Sequence, residues 1–241
     1  MKVVISGIVD LSTIDFPKKA SAVIFLHGCN MKCPYCHNLK HILQHKKEMT
    51  IEELFKDIDF LFADAIVISG GEPTLQKDAV IEIARYAKKN NLPVKIDTNG
   101  THPEVIEELV KNDLVDYVAV DVKCRFDRYR EFVKCKESGE EIKNKILNII
   151  DICKSHDIFV ECRTTFVPRV MDEEDIKEIA KTVKNCDLYA IQQFEPKDAY
   201  DDEFKKLPMP KENELKKLGK IAKEYIKNVV VVRTVNGTFE I

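Results

Sequence analysis

Apolar residues recur along the chain at two spacings that take turns. Short apolar-rich segments at 22–26, 65–69, 94–98, 117–121, 158–165, 188–192 and 229–232 read as strands, the continuous run at 65–69 as one buried on both faces. Between them the apolar positions fall three or four residues apart. Ile51, Leu54, Phe55 and Ile58 follow a Thr50/Glu53 capping box, and Val80, Ile83, Ala84 and Ala87 form a second stripe. A third helix is opened by Thr101 and Pro103 and lined by Val105, Ile106, Leu109 and Val110. Further stripes run through Ile142, Ile146, Ile149, Ile150 and Cys153, through Ile176, Ile179, Ala180 and Val183, and through Leu215, Leu218, Ile221, Ala222 and Tyr225. Strands alternating with helices in this way predict an α/β fold of right-handed βαβ units around a parallel sheet. The first twenty residues read as a short strand or hairpin leading in, and residues 21–235 as the repeating part of one domain spanning 1–241.

Bulk composition narrows the partners. Lys and Arg total 38 against 41 Asp and Glu, so a net charge of −3 provides no global basic field and nucleic acid is not expected as a partner. No apolar run is long enough to cross a membrane, and the first residues lack a signal-peptide layout, so a cytoplasmic location without membrane association is expected. Eight cysteines in such a compartment argue for metal chemistry rather than a disulfide framework. The 33% of charged residues, rich in Lys and Glu, leans toward a thermophilic source.

Three of those cysteines, Cys29, Cys33 and Cys36, lie within eight residues, in a loop that follows the first buried strand. Zinc normally takes four ligands, and ferredoxin clusters usually take four cysteines in other spacings. A three-thiolate set therefore suggests an iron-sulfur cube with one iron open, with a zinc loop or a buried inert trio as the alternatives. The Cys-x3-Cys-x2-Cys spacing, with Tyr35 directly before the third cysteine, resembles the radical S-adenosylmethionine (SAM) superfamily. That resemblance implies a partial (β/α)6 barrel, one 4Fe-4S cluster on Cys29, Cys33 and Cys36, and SAM chelated at the open iron and cleaved to a 5′-deoxyadenosyl radical.

Ser12-Thr13-Ile14-Asp15-Phe16-Pro17 placed shortly before this loop is similar to activating proteins of anaerobic ribonucleoside-triphosphate reductases, within the activases of glycyl-radical enzymes. The resemblance implies a glycyl-radical enzyme as protein substrate and reduced flavodoxin or ferredoxin as electron donor. A radical SAM enzyme acting on a small molecule or nucleobase, similar to the deazapurine synthases, is the other reading.

Candidate site residues gather at the predicted strand ends, where parallel barrels place their chemistry. Gly70, Gly71 and Glu72 close the second strand, and two glycines admit close approach of a ligand to the backbone. Asp97 and Thr98 end the third strand, with Asp121 and Lys123 at the fourth; carboxylates there could hold a cation or the ammonium of an amino acid. Arg163 on the fifth strand offers a planar guanidinium suited to a carboxylate or ribose, and Gln192 ends the sixth. The family resemblance implies that Tyr35 contacts adenine through its backbone and that Gly70, Gly71, Glu72, Asp97, Thr98, Asp121, Lys123, Arg163 and Gln192 surround SAM. It also implies catalytic roles for Lys123 and Arg163, with a monovalent cation near the two aspartates. Residues 123–140 are charged, interleaved with aromatics, and read as either a flap or a solvated loop with a short helix.

Overall fold

A computed structural model describes residues 1–241. The chain packs as two compact units, one of residues 1–30, 38–119 and 152–159, the other of residues 31–37, 120–151 and 160–241. None of its helices is long and apolar enough to cross a membrane.

The first unit contains, in chain order, β1 (Lys2–Ser12), β2 (Ser21–Leu26), α1 (Leu39–Gln44), β3 (Lys47–Thr50), α2 (Ile51–Asp57), β4 (Ala65–Gly70), α3 (Lys77–Lys89), β5 (Val94–Thr98), α4 (Pro103–Lys111) and β6 (Tyr117–Asp121), of which β6 gives its last two residues to the second unit. Strand order here is β3-β1-β2-β4-β5-β6. The lead-in is a full antiparallel strand: β1 pairs with β2 on one side and β3 on the other. From β2 onward the pairing turns parallel, with Leu26 opposite Gly70 and Ile68 opposite Ile96, so the ends of β2, β4 and β5 lie side by side. Thr50 and Glu53 form the expected capping box at the start of α2.

Phe16 explains why the lead-in motif has its residues. Ser12 accepts from the Ile14 and Asp15 amides and donates to the Asp15 carboxylate, which folds the segment back on itself. Ile14 is left in solvent while Phe16 is buried among Val23, Ala65, Val67, Tyr117 and Ala119. Its ring lies 5.8 Å from that of Tyr117. The alternate residues of β2, β4 and β6 that form this cluster leave a gap that a phenyl ring from outside the strands fills.

The second unit holds α5 (Tyr129–Phe132), α6 (Gly139–Ser155), β7 (Phe159–Phe166), α7 (Glu173–Thr182), β8 (Leu188–Gln193), α8 (Glu212–Lys223), β9 (Val229–Thr234) and β10 (Gly237–Glu240), the ends of α6 and β7 that join them belonging to the first unit. β7, β8 and β9 are parallel neighbours, and β10 returns antiparallel on β9. Two strands escape the apolar pattern, β3 and β10. Each has four residues and pairs on one side only, too short for alternation to show. Residues 123–140 are more ordered than their charge suggests, because Phe126, Tyr129 and Val133 are buried and Arg128 donates to the Val170 carbonyl at 3.0 Å. Its guanidinium also pairs with the buried Asp175 at 3.4 Å and lies over the Phe132 ring.

Candidate functional site

In the first unit the candidate residues converge on Glu72. Gly70 adopts φ +126°, open to glycine alone, and a Cβ there would run into the Leu26 backbone. A Cβ on Gly71 would meet the Gly28 carbonyl. This contact lets the Gly71 amide bond Leu26 O at 3.1 Å and the Glu72 amide bond Gly28 O at 2.8 Å. The strand end carrying Gly70 and Gly71 is thus stitched to the segment leading into the cysteine loop.

The Glu72 side chain is fully buried. One of its oxygens accepts from the Thr74 amide at 3.1 Å, from the Thr74 hydroxyl and from the Thr98 hydroxyl at 2.8 Å; the other accepts from the Asn99 amide at 2.6 Å. Burial pushes its carboxyl up, against the pull of these four donors. Asn99 passes the constraint on. Its side-chain amide donates to Asn30 at 2.8 Å, and Asn30 donates to Thr101 at 3.0 Å, which fixes the residue following Cys29. Asp97, next to this node, accepts from Ser69 at 3.0 Å and pairs with Lys95. Asn99, Asn30 and Lys95 were not among the sequence candidates. Asn99-Gly100 reads as a plain turn, but a lysine inside an apolar strand is a signal in itself.

In the second unit Asp121, Lys123 and Arg163 form one charged group. Asp121 accepts from Arg163 Nε at 2.7 Å and from Lys123 Nζ at 2.8 Å, and all three side chains are at most a quarter exposed. Burial works to raise the Asp121 carboxyl, but the two cations outweigh it and hold it well below the ordinary carboxylate range. Burial likewise works to lower the Lys123 ammonium, and Asp121 followed by the Cys33 sulfur reverses this, leaving it above the usual lysine value. Two cations against one carboxylate leave a net positive charge, complementary to one further carboxylate.

Tyr129 supports the group from below: its hydroxyl accepts from the Lys123 amide at 2.8 Å. Tyr35 is buried, donates to the Lys123 carbonyl at 3.4 Å and packs 5.6 Å from Phe132. Burial, then the Cys33 sulfur, pushes its phenol well above its usual value. The loop residues 31–37 are further held by Lys32 N to Val133 O at 2.8 Å and by Asp201 N to Pro34 O at 2.9 Å. His37 bonds the Glu195 carbonyl at 3.1 Å. Gln192 stands half-buried at the end of β8, opposite Thr165.

All eight cysteines are thiols rather than half-cystines. Cys29 and Cys36 are partly exposed and Cys33 is buried, while the other five are buried and scattered through the chain. Burial, only partly offset by Arg128, pushes the Cys124 thiol far up, and burial raises Cys135 as well, so neither is a ready thiolate.

Residues 23–186 match the radical SAM superfamily. The chain belongs to the radical SAM superfamily. This radical SAM protein is 82% identical over 241 residues to a provisionally named glycyl-radical enzyme activating enzyme of Methanocaldococcus jannaschii, with 100% of both chains covered. It is 30% identical over 191 residues to the pyruvate formate-lyase-activating enzyme of Clostridium pasteurianum, which covers 75% of this chain and 76% of that one. Among solved structures, a radical SAM methyltransferase from Sphaerobacter thermophilus superposes with a TM-score of 0.67 over 94% of this chain and 70% of its own, at 14% identity. QueE from Escherichia coli covers 97% and 94% at a TM-score of 0.56 and 19% identity. Both share the α/β fold with its predominantly parallel strands. Membership of the superfamily implies a 4Fe-4S cluster and SAM. The donor chemistry fits: Cys29, Cys33 and Cys36 are thiols within eight residues, and in the second unit the loop backbone is held at Lys32 and Pro34 with the Lys123 ammonium close to Cys33.

Proposed function

We propose that this protein activates a glycyl-radical enzyme. The observation that carries the reading is the likeness to activating enzymes, over the full length for one and three quarters for the other, in a chain that keeps the three-cysteine loop and the charged strand ends. When bound, the cluster and SAM supply reductive cleavage of SAM to a 5′-deoxyadenosyl radical.

The chain's own residues bind and orient. Cys29, Cys33 and Cys36 hold the cluster through three thiolates, and Tyr35 presents backbone to the adenine. Gly70 and Gly71 let the end of β4 close against the Leu26 and Gly28 backbone rather than leaving room for a ligand, and Glu72 keeps that turn in shape through Thr74, Thr98 and Asn99. Arg163 and Lys123, fixed by Asp121, offer the net positive charge for the SAM carboxylate and are the groups we assign to catalysis, with Gln192 at the ribose. Asp97 and Thr98, at the end of β5, are also assigned to SAM. Both rim aspartates already hold side-chain cations, so an inorganic monovalent cation is not part of this reading.

The target we favour is anaerobic ribonucleoside-triphosphate reductase, on the likeness of residues 12–17 and 28–38 to its activating proteins. Reduced flavodoxin or ferredoxin is the electron donor in this scheme, and the cytoplasm its setting. The reduced, reconstituted protein should be mixed anaerobically with SAM and either that reductase or pyruvate formate-lyase. A glycyl signal by electron paramagnetic resonance on the reductase alone supports the target. A signal on the lyase alone reassigns it. SAM turnover on a small substrate with no radical on either protein overturns the activase reading.

A further inference from the structure

Lys95 is the second residue of β5, its side chain only 2% exposed. Its ammonium sits 2.5 Å from the Asp97 carboxylate and 5.7 Å from the centre of the Tyr117 ring, within cation-π range. Asp97 in turn accepts from the Ser69 hydroxyl at 3.0 Å. A lysine is among the costliest side chains to bury, and a strand between apolar Val94 and Ile96 has no need of one for packing. The ion pair also points along its strand toward the candidate site, since residues 95 and 97 share one face of β5.

The family resemblance implies a monovalent cation near Asp97, but the Lys95 ammonium already stands against that carboxylate. We infer that Lys95 is a built-in counter-cation: its ammonium occupies the place that a small monovalent ion would otherwise take at Asp97, so the site needs no such ion. A tethered cation holds the Asp97 carboxylate in one orientation at any salt composition. Its effect on SAM rests on the function proposed above; its effect on the fold of the cluster-free protein does not.

The test compares thermal midpoints of the cluster-free protein in ammonium, potassium or tetramethylammonium chloride at equal ionic strength, which holds general screening constant. Wild type should melt alike in all three. Lys95→Ala, which removes the charge and opens an ion-sized space, should melt roughly 6–20 °C lower in tetramethylammonium, the scale expected for breaking a buried pair in a chain of this size. It should recover at least half of the loss in ammonium or potassium. Lys95→Met fills the space without charge and should show the loss but no recovery. Lys95→Ala/Asp97→Asn, lacking the carboxylate, should not respond to ammonium. If Lys95→Ala does not fold in tetramethylammonium, the yield of folded protein with and without ammonium replaces the midpoint, and no gain with ammonium overturns the inference. So does a wild type stabilised by potassium over tetramethylammonium by as much as the variant, or equal rescue of the Ala and Met forms. A SAM titration of the reconstituted Lys95→Ala protein in the same salts separates the two claims. Melting as expected with cation-independent SAM affinity retains the built-in cation and removes only its link to SAM.

Discussion

Replacing Asp121 with Asn takes one negative charge from between two positive ones. Arg163 Nε and Lys123 Nζ lie 2.7 and 2.8 Å from its two oxygens, and the carboxylate is about a quarter exposed. A unit-charge pair about 4 Å apart at an effective dielectric of about 20 is worth roughly 4 kcal/mol before desolvation. Desolvating the ions takes back a large part, and removing one member leaves Arg163 and Lys123 repelling each other. The expected loss is near the lower end of the roughly 3–5 kcal/mol seen when a buried pair is broken. At about 2–4 °C per kcal/mol for a chain of this length, the midpoint should fall by roughly 6–12 °C.

The pH dependence identifies the cause. The Asp121 carboxyl is held below its ordinary value in the folded protein, so its stabilisation is present above the unfolded pKa and is lost as pH falls through the lower folded one. Chemical denaturation of cluster-free wild type and Asp121→Asn should therefore differ by a constant amount from pH 7 down to about 5, with the gap narrowing below about 4 as the unfolded aspartate takes its proton. A gap that stays fixed across the acid range would show that the loss comes from packing or hydrogen-bond geometry. No gap at neutral pH would mean that the charged group contributes nothing net.

Three further substitutions probe separate links. Cys33→Ala should abolish cluster assembly, read by iron and sulfide content, whereas Cys153→Ala should retain the cluster; full iron in Cys33→Ala refutes the three-ligand assignment. Glu72→Gln places an amide donor among four donors, leaving a buried amide or hydroxyl unsatisfied at a cost of about 1–3 kcal/mol; it should weaken SAM binding while leaving iron content intact, and unchanged SAM affinity would remove the Glu72 node from the SAM site. Phe16→Ala should cost about 3–5 kcal/mol in denaturant, and a loss under about 1 kcal/mol would show that the lead-in is not part of the core.

The alternation of apolar segments and helical stripes carried the α/β order of β2 and of β4 to β9 because the middle residues of those strands are buried on both faces. It missed β3 and β10, whose four residues pair on one side and need no apolar run. Asp121, Lys123 and Arg163 were legible singly, as charges at strand ends; that they share one ion network depends on pairing across residues 42 apart, which no local pattern encodes. The Arg125 to Lys134 stretch looked like a charged surface segment, yet Arg128 is anchored on Asp175 and the aromatics turn inward. Charge counting cannot distinguish an arginine in solvent from one that is capping a neighbouring loop. Asn30, Asn99 and Thr74 were invisible for a related reason: small polar residues in turns serve local turn geometry so often that a long-range role leaves no trace in composition.

The central claim is that this chain directs a SAM-derived radical onto a glycine of a partner protein. The most direct measurement follows the hydrogen atom. A partner glycyl-radical enzyme prepared with α-deuterated glycine is incubated anaerobically with the reduced protein and SAM, and the 5′-deoxyadenosine is analysed by mass spectrometry alongside the glycyl signal. The account predicts deuterium in 5′-deoxyadenosine in proportion to the glycyl radical formed, and none with the Cys33→Ala protein. Unlabelled 5′-deoxyadenosine accumulating while the partner remains radical-free would contradict it.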